Sequence, residues 1–307
     1  MLKVAILGCG RWGSNHLKVL SKLREENLVS KITVVDISHK ARQEAELADA
    51  VSDTMSGVDA DLVIIATHSQ YHAEQAKSLI AAGHHVLVEK PLGCCESEAA
   101  QVLASAREFG RIVAVGLLLR FHPAVELANR MLSKGSLGRL EGIRFIRRST
   151  REAPEGENVI EALGVHAIDL ICHFMGESEP NAVNAEGDET ESRIALEFPH
   201  GIEAIVDVSW NASVERRTVN LLGSKANFRF DLGIHNSAIL EINGEEEILD
   251  CDSSNTPLEA EIRHIINVVN SHNEGTGLQT VPDSGAALRG VRWTQRAMDA
   301  LPIPRPH

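Results

Sequence analysis

The sequence lacks both a long apolar segment and a signal peptide. No stretch is apolar over the length that a membrane-spanning helix needs. The N-terminus, "MLKVAILGCG", is a short apolar run that leads directly into glycines, whereas a signal peptide continues into a longer apolar region and a cleavage site. We therefore expect a cytoplasmic protein with no membrane partner.

An excess of basic charge is also missing. The 307 residues include 30 Lys and Arg against 43 Asp and Glu, which gives a net charge of −13. Proteins that bind nucleic acid need a basic surface, so this balance argues against a nucleic-acid partner. It leaves room for a small anionic ligand, because a local basic patch can lie on an acidic protein.

The cysteines show neither a disulfide framework nor a zinc pattern. Their number is odd, and two of them are adjacent, which is poor geometry for an ordinary disulfide. No pair has the spacing of a zinc site, and we predict reduced thiols and no metal. The five are Cys9, Cys94, Cys95, Cys172 and Cys251.

Apolar runs alternate with helical segments over residues 1–118. The runs "KVAILG", "ITVVDIS", "DLVIIATHS", "HVLVEKP" and "RIVAVG" are separated by segments with helical spacing. Continuous apolar strands that alternate with helices predict a parallel sheet covered on both faces. The predicted fold class is therefore α/β, with a doubly wound Rossmann domain over residues 1–118.

The stretch "GCGRWG" places Gly8, Gly10 and Gly13 in the G-x-G-x-x-G pattern. It follows a strand and opens a helix at the start of a βαβ unit, which is the context this dinucleotide-binding motif requires. Gly8 permits the tight turn, Gly10 lets the backbone approach a pyrophosphate, and Gly13 allows close packing of helix and strand. Backbone N–H groups near Arg11 and Trp12 would hold the phosphates at the helix N-terminus.

Asp36 ends the second predicted strand and follows the glycine loop at the distance typical of a ribose-binding acid. A carboxylate there accepts hydrogen bonds from ribose hydroxyls and repels a 2′-phosphate, which favours NAD over NADP. Lys40 and Arg42 lie nearby and would weaken that preference. The alternative is that Asp36 only caps the following helix.

Lys90 directly follows the fourth of these apolar strands, in "HVLVEKP". Ligands of parallel sheets bind at the carboxyl ends of the strands, so a lysine at this point is expected on the rim of the binding cleft. A salt bridge from Lys90 to Glu89 or to a neighbouring loop is the alternative. Glu89 itself would either orient Lys90 or cap a backbone group.

Residues 119–307 have a different pattern. Short alternating runs separated by "PHG" and "NG" predict a largely antiparallel sheet, and helical stretches precede and follow it. We predict an α+β domain that binds substrate and mediates oligomerisation. Helices cover only one face of this sheet, and the other face would be buried by a second subunit. We therefore predict a homodimer or homotetramer.

Several motifs together resemble the Gfo/Idh/MocA family of oxidoreductases. The matching stretches, "GCGRWG", "VVDIS", "IIATHSQYH", "VEKPL", "VGLLLRFHPA" and "GVHAIDL", occur in the family's order between residues 4 and 170. The resemblance implies NAD-dependent hydride transfer. It also implies that Lys90 lines the active site and that His166 transfers a proton. Thr67, His72 and Glu89 then lie at the cofactor, although His68 and Ser69 depart from the family's usual "ATPN".

The segment "GLLLRFHPA" is similar to "GHxxRFNPA" in a branch of the family that includes UDP-N-acetylglucosamine 3-dehydrogenases. Arg120 matches the branch, whereas His122 replaces an asparagine and Leu117 replaces a histidine. The resemblance implies a sugar or nucleotide-sugar substrate, with Arg120 and His122 at the substrate.

Four arginines lie within eight residues of this acidic chain. Strand alternation places Arg144 and Arg148 on one face and Arg147 and Arg151 on the other. The set is either a solvated edge balanced by nearby glutamates or an anion site, because arginine binds diphosphate in a bidentate manner. We include Arg148 among the candidate substrate residues.

The family commonly has an aspartate four residues before the histidine of the "GVH" segment. This chain has Ala162 at that position and Glu161 one residue earlier. One residue rotates a helical side chain by about 100°, so Glu161 replaces the aspartate only if the backbone there is irregular.

The predicted function is an NAD-dependent oxidoreductase that oxidises a secondary hydroxyl of a sugar or sugar nucleotide resembling UDP-N-acetylglucosamine. Histidine accepts a proton near neutral pH, and Lys90 stabilises the developing alkoxide. The alternatives are an inositol or free-sugar dehydrogenase, and a non-catalytic regulatory protein that binds NAD or a sugar. Cys172 and His173 lack a convincing third ligand, and we predict no catalytic metal.

Overall fold

The computed structural model describes residues 1–302 and divides the chain into two compact units. Unit 1 combines Met1–Leu118 with Leu258–Val291. Unit 2 combines Leu119–Pro257 with the chain from Arg292 onwards.

The discontinuity of unit 1 differs from the sequence-based division, which assigns all of residues 119–307 to the second domain. In the structure, Leu258–Val291 returns to the first unit. The physical reason is burial, because Ile262, Ile265 and Ile266 belong to the same hydrophobic core as the first strands of the chain.

The helices and strands of the described residues are numbered in chain order. The helices are α1 (Arg11–Glu25), α2 (His39–Glu44), α3 (His72–Ala81), α4 (Glu96–Phe109), α5 (Pro123–Ser133), α6 (Val165–Phe174), α7 (Pro257–Glu274) and α8 (Ser284–Ala300). The strands are β1 (Leu2–Leu7), β2 (Val29–Val35), β3 (Ala50–Ser52), β4 (Leu62–Ile65), β5 (His85–Glu89), β6 (Val113–Gly116), β7 (Leu140–Arg148), β8 (Ala182–Gly187), β9 (Glu191–Phe198), β10 (Ile202–Ser209), β11 (Arg216–Gly223), β12 (Asn227–Asp231), β13 (Ser237–Ile242) and β14 (Glu245–Asp250). A π-helical turn, Ile160–Gly164, directly precedes α6.

The sheet of unit 1 is parallel, with strand order β3-β2-β1-β4-β5-β6 among the described residues. The chain runs outward from β1 to β3 and then restarts at β4 on the other side of β1. One core packs α1 and α7 against one face, and a second packs α3 and α4 against the other. The strand order reverses between β1 and β4, which is where sheets of this kind bind ligands.

The sheet of unit 2 has the order β14-β13-β12-β11-β7-β10-β9-β8. Its described neighbours are antiparallel except for β7 and β10, which are parallel. Phe145, Val206 and Val219 face the core that α6 shares, whereas Arg144 and Arg148 alternate onto the opposite face. The predicted fold class, a Rossmann domain followed by an α+β domain with a largely antiparallel sheet, is confirmed.

Candidate active site

The glycine loop connects β1 to α1. Its glycines make the close backbone contacts that the sequence motif predicts. Gly8 has φ of +90° and lies against the backbone of Ala66. A Cβ at Gly13 would lie 2.0 Å from the carbonyl oxygen of Gly8, so only glycine permits this contact between helix and loop. Gly10 faces open space and has no side chain to cap α1. The N-terminus of α1 therefore fits a phosphate group.

Asp36 lies directly after β2, beside this loop. Its Oδ2 accepts a hydrogen bond of 2.7 Å from the backbone N–H of Cys9, and its Oδ1 accepts one of 2.7 Å from Ser38. Ser38 is the residue that caps α2, through its own hydroxyl. The carboxylate is thus fixed next to the phosphate-binding turn, in the position that a ribose-binding acid occupies. Arg42 donates a hydrogen bond of 2.5 Å to the backbone oxygen of Asp36.

Lys90 follows β5 immediately and is partly buried, and its peptide bond to Pro91 is cis. Because β5 lies two places from β1 in the sheet, Lys90 and the glycine loop lie at the carboxyl ends of strands in one sheet. The structure thus places Lys90 at the edge of the sheet that binds ligands, as its position in the sequence predicts.

Glu89 does not face the surface on which a cofactor would lie. Strand alternation puts it on the same face as Leu87, which packs against α1 and α7. Its side chain is buried, and Oε1 lies 2.7 Å from Nε2 of His16 in α1. The side chain of Glu89 therefore links β5 to the helix that follows the glycine loop, and its contact with a cofactor stays a prediction.

His72 is likewise a linker within unit 1. Its side chain is 1% exposed, with Nδ1 2.8 Å from the carbonyl oxygen of Pro91 and Nε2 3.0 Å from that of Thr67. The ring therefore connects the loop after β4 to the loop after β5, and its contact with a cofactor stays a prediction. Thr67 does reach the glycine loop, because its methyl group would lie 2.9 Å from a Cβ at Gly8.

His166 is the second residue of α6 in unit 2 and is partly buried. The π-helical turn before it is closed by a hydrogen bond from Val165 N–H to the carbonyl oxygen of Ile160. Residues five apart lie about 140° away from each other around an α-helix, but a π turn brings them back towards one face. This is the backbone irregularity that Glu161, five residues before His166, needs in order to replace the missing aspartate.

Arg120 is buried in unit 2 and paired with acidic residues. Its side chain is 2% exposed and binds the Asp169 carboxylate through Nε and Nη2, at 2.9 and 2.6 Å. Nη1 also donates to Glu177 at 2.8 Å and lies 3.3 Å from Nδ1 of His173. Burial alone would lower the pKa of Arg120, but the charges of Asp169 and Glu177 outweigh it and raise the pKa. In this structure Arg120 organises a buried ionic network, and its contact with substrate stays a prediction.

The same network controls Glu177. Burial favours its neutral form, but hydrogen bonds from His173 and Arg120 outweigh burial and lower the pKa of Glu177 to about 2. His173 also lies 2.6 Å from the amide nitrogen of Asn129. His173 is thus occupied in a structural role, and no group of three or more potential metal ligands occurs within residues 1–302.

His122 is a helix cap. Its side chain is fully buried, and Nδ1 accepts a hydrogen bond of 3.2 Å from Ala124 N–H at the start of α5. Burial, helped by repulsion from His235, lowers the pKa of His122 to about 4. The ring is enclosed and begins a helix, and the contact of His122 with substrate stays a prediction.

Arg148 is exposed, on the face of the unit 2 sheet opposite α6. It lines a cavity of about 260 Å³ together with Glu186, Glu191, Arg193 and Asp207. This face does not carry His166, so Arg148 is separated by the sheet from the proton-transfer candidate of its own unit. Strand β7 thus places Arg148 on the sheet face opposite α6, and its contact with substrate stays a prediction.

Arg147 lies on the face that α6 covers, beside Arg217 across the strand pair. Both arginines bind Glu215, at 2.7 and 2.8 Å. Burial, with repulsion from Arg217, lowers the pKa of Arg147. Two cations share one carboxylate here, which leaves a local positive charge.

Two residues near Lys90 were missed by the sequence analysis. His16 in α1 and Glu261 in α7 are fully or almost fully buried and lie close to Glu89. The signal in the sequence was a polar residue within the apolar stripe of each helix, in "NHLKVL" and in "EAEIRHII".

The parallel sheet, its glycine loop and the acid after β2, followed by an α+β unit, are the features of an NAD-binding oxidoreductase of the Rossmann class. Residues 2–117 match the family model described as "Oxidoreductase family, NAD-binding Rossmann fold", and residues 125–229 match the GFO/IDH/MocA C-terminal domain. The chain belongs to the Gfo/Idh/MocA family of oxidoreductases. The predicted family and the prediction of an NAD(P)-dependent dehydrogenase are confirmed.

Curated relatives include inositol 2-dehydrogenase 2 of Saccharopolyspora erythraea, which is 28% identical over 244 residues that cover 73% of this chain and 72% of that protein. The 4-carboxy-2-hydroxymuconate-6-semialdehyde dehydrogenase of a Sphingobium species is 29% identical and covers 68% of this chain and 72% of its own length. These relatives are dehydrogenases that act on different compounds.

Solved structures share the fold at low identity. UDP-N-acetylglucosamine 3-dehydrogenase from Acidithiobacillus ferrooxidans has a TM-score of 0.85 and 21% identity, and the match covers 98% of this chain and 97% of that one. The WlbA dehydrogenase from Bordetella pertussis, solved with NADH and UDP-GlcNAcA, has a TM-score of 0.82 and 17% identity, with 97% and 95% coverage. Among the described residues, no helix combines the length and apolarity required to cross a membrane.

Proposed function

We propose that this protein is an NAD-dependent dehydrogenase that oxidises a secondary hydroxyl group of a sugar or sugar nucleotide. The observation that carries the proposal is the placement of Lys90 directly after β5, in the sheet whose β1 leads into the glycine loop and whose β2 ends at Asp36. A cation at this edge can act on a substrate oxygen next to a bound dinucleotide.

The residues that would hold the cofactor are the glycine loop for the pyrophosphate and Asp36 for the adenosine ribose. Bound nicotinamide would supply the acceptor for a hydride. Asp36 supports NAD rather than NADP, because its carboxylate is held in place by two backbone N–H groups and would repel a 2′-phosphate. Arg42 is the group that would tolerate NADP, but its guanidinium already donates to the backbone of Asp36.

Lys90 and His166 are the two groups proposed for proton chemistry. Oxidation of a secondary alcohol removes a hydride from carbon and a proton from oxygen. His166, in its neutral form, accepts the hydroxyl proton at a ring nitrogen. Lys90, as the ammonium ion, donates a hydrogen bond to the oxygen and stabilises its developing negative charge.

The proposed substrate carries phosphate, and the arginine pair supports this. Arg147 and Arg217 share Glu215 on the α6 side of the unit 2 sheet, so a negatively charged ligand would find an unbalanced positive charge there. Structural relatives that bind nucleotide sugars, such as the UDP-GlcNAcA complex of WlbA, support the same substrate class.

The direct test follows cofactor reduction by near-ultraviolet absorbance with a panel of inositols, free sugars and nucleotide sugars. We expect turnover with NAD, and we expect Lys90→Met to remove most of kcat while leaving NAD binding intact, because the lost interaction strengthens as charge develops. The matched control is Lys18→Met, at an exposed position of α1, which should retain activity.

The same panel tests the anionic part of the substrate. Arg147→Gln should raise KM for nucleotide sugars more than for free sugars, whereas Arg144→Gln, on the opposite face of the same strand, should affect neither. Near-normal turnover by Lys90→Met would refute the mechanism. Binding of NAD and a sugar without any turnover would instead favour a regulatory protein.

A further inference from the structure

Three ionisable side chains from three elements meet inside unit 1. Glu89 ends β5, His16 lies in α1, and Glu261 lies in α7, and all three are buried. His16 and Glu89 are 2.7 Å apart, whereas neither carboxylate oxygen of Glu261 has a hydrogen-bond partner within the described chain. Burying such a carboxyl group is costly, and stabilising the fold does not require it. We call these three residues the Glu89 cluster.

The surroundings of Glu261 favour its protonated form. Burial, together with repulsion from the charge of Glu89, raises the pKa of Glu261 well above its usual value. The groups that the structure places against Glu89 are His16 from α1 and Glu261 from α7, and the adjoining strand β6 contributes Gly116, which carries no charge. Few charged groups therefore set the pKa of Glu261, and an additional charge nearby would change that pKa strongly.

The cofactor would bring such a charge to the end of β5. Asp36 places the adenosine half beside β2, and the glycine loop places the pyrophosphate at α1. The remaining half of a dinucleotide then extends over β4 and β5, since these strands lie on the other side of β1. Its nicotinamide ring is a cation when oxidised and uncharged when reduced, and Glu89 lies at the strand end that it approaches.

We propose that the Glu89 cluster is a proton-linked positioning site, which releases the Glu261 proton to solvent when the oxidised cofactor binds and takes it up again when the cofactor is reduced. The ionised Glu261 then offsets the positive charge of the oxidised cofactor, whereas Glu261 is protonated and uncharged when the reduced cofactor is bound. Glu89 belongs to the cluster and directly precedes Lys90, so the charge of the cofactor is linked to the segment that positions Lys90. This inference rests on the proposed cofactor but not on the proposed substrate.

Calorimetry of the full chain tests the proposal without turnover. NAD⁺ and NADH are titrated separately in buffers of different ionisation enthalpy, and the dependence of the binding heat on buffer gives the protons released. We expect NAD⁺ binding to release more than NADH binding, by on the order of 0.5 proton per site near the pH at which Glu261 titrates. Glu261→Gln should bind both forms and abolish the difference.

The matched control is Glu259→Gln, in the same helix, because Glu259 is bound to Lys22 and Arg263 and lies outside the cluster. It should retain the wild-type difference. If Glu261→Gln does not fold, infrared difference spectra of the unmodified protein with NAD⁺ and NADH give the answer. The carbonyl band of a protonated carboxylic acid should weaken with NAD⁺.

Equal proton release for the two cofactor forms, an unchanged carbonyl band, or a Glu261→Gln variant that keeps the difference would overturn the proposal. If the protein prefers NADP, the same experiment uses NADP⁺ and NADPH, which differ by the same ring charge. A protein that binds cofactor but oxidises no sugar contradicts the proposed function and leaves the calorimetric result valid. Failure to bind any nicotinamide cofactor would refute both proposals.

Discussion

Among single residues, Asp36 is held by the loop beside which it is proposed to act. The hydrogen bond from Cys9 N–H to Asp36 orients the carboxylate and also fixes the backbone between Gly8 and Gly10. The groups proposed to bind phosphate and ribose are therefore joined by one hydrogen bond. Changing this side chain should alter both the affinity and the preference for cofactor.

We expect Asp36→Ala to weaken NAD binding at least about tenfold, because hydrogen bonds to a charged group contribute about 1.5–3 kcal/mol. NADP should become relatively better, since the repulsion of its 2′-phosphate is removed. Fluorescence titration with both cofactors measures the ratio of the dissociation constants for NAD and NADP. The control is Asp53→Ala, at an exposed position. Tighter binding of NADP than NAD by the unmodified protein would contradict the prediction.

Arg120 illustrates a residue whose role depends on distant partners. We expect Arg120→Ala to reduce the free energy of unfolding by about 3–5 kcal/mol, because it leaves the charge of buried Asp169 uncompensated. Denaturant unfolding measures the loss. The control, Arg193→Ala, removes an exposed pair with Asp207 and should cost about 1 kcal/mol or less. Similar losses in the two variants would show that the network is not the source of stability.

Glu261 makes the stability of the protein depend on pH. Its pKa is raised in the folded state. Its contribution to the free energy of unfolding is therefore complete below the usual carboxyl pKa of 4.5 and is lost as the pH rises through the folded-state pKa. Glu261→Gln cannot ionise, and its stability relative to the unmodified protein should therefore increase with pH. Thermal unfolding of both proteins from acidic to alkaline pH measures the trend, and a constant or decreasing difference would be inconsistent with a buried, protonated Glu261.

At the scale of secondary-structure elements, the π-helical turn Ile160–Gly164 changes how the helix before His166 is interpreted. In an uninterrupted α-helix Glu161 and His166 would lie on different faces, whereas the π geometry shown by the Val165–Ile160 hydrogen bond brings positions five apart closer to one face. An inserted residue of this kind is common at functional sites. We infer that Glu161 takes the orienting role of the family's aspartate.

Glu161→Gln should therefore lower kcat several-fold and change its dependence on pH, because a neutral amide stabilises the protonated form of His166 less well. Ala162→Asp should not raise turnover, since Glu161 already serves. The assay is kcat across pH with the best substrate of the panel. A silent Glu161→Gln combined with a faster Ala162→Asp would show instead that the missing aspartate is a real deficit.

The sequence was sufficient for elements defined by local pattern. Continuous apolar runs and the glycine motif predicted the parallel sheet, the loop and the place of Lys90. The sequence was insufficient where long-range contacts determine the role of a residue or the packing of a helix. Arg120 finds its partners 49 and 57 residues away, and α7 has an apolar stripe that would fit either sheet. Strand alternation correctly separated Arg147 from Arg148, but it did not indicate which face α6 would cover.

For the whole molecule, the open face of the unit 2 sheet carries exposed apolar residues. Leu222 and Ile248 are 36% and 73% exposed, on the face opposite the core shared with α6. We predict a homodimer that covers this face. Light scattering at micromolar concentration should give twice the mass of the chain, and Leu222→Glu should shift the protein towards monomer without changing NAD affinity. A monomeric unmodified protein would refute this prediction.

The return of Leu258–Val291 to unit 1 also sets the order in which the protein can be assembled during synthesis. The parallel sheet is complete in the nascent chain by Gly116, but the α7 side chains that close one of its cores emerge only after unit 2 up to Pro257 has been made. A ribosome that stops before α7 therefore releases a nucleotide-binding sheet with an uncovered apolar face. Premature termination in the last sixth of the message should be as damaging to this half of the enzyme as termination near its beginning.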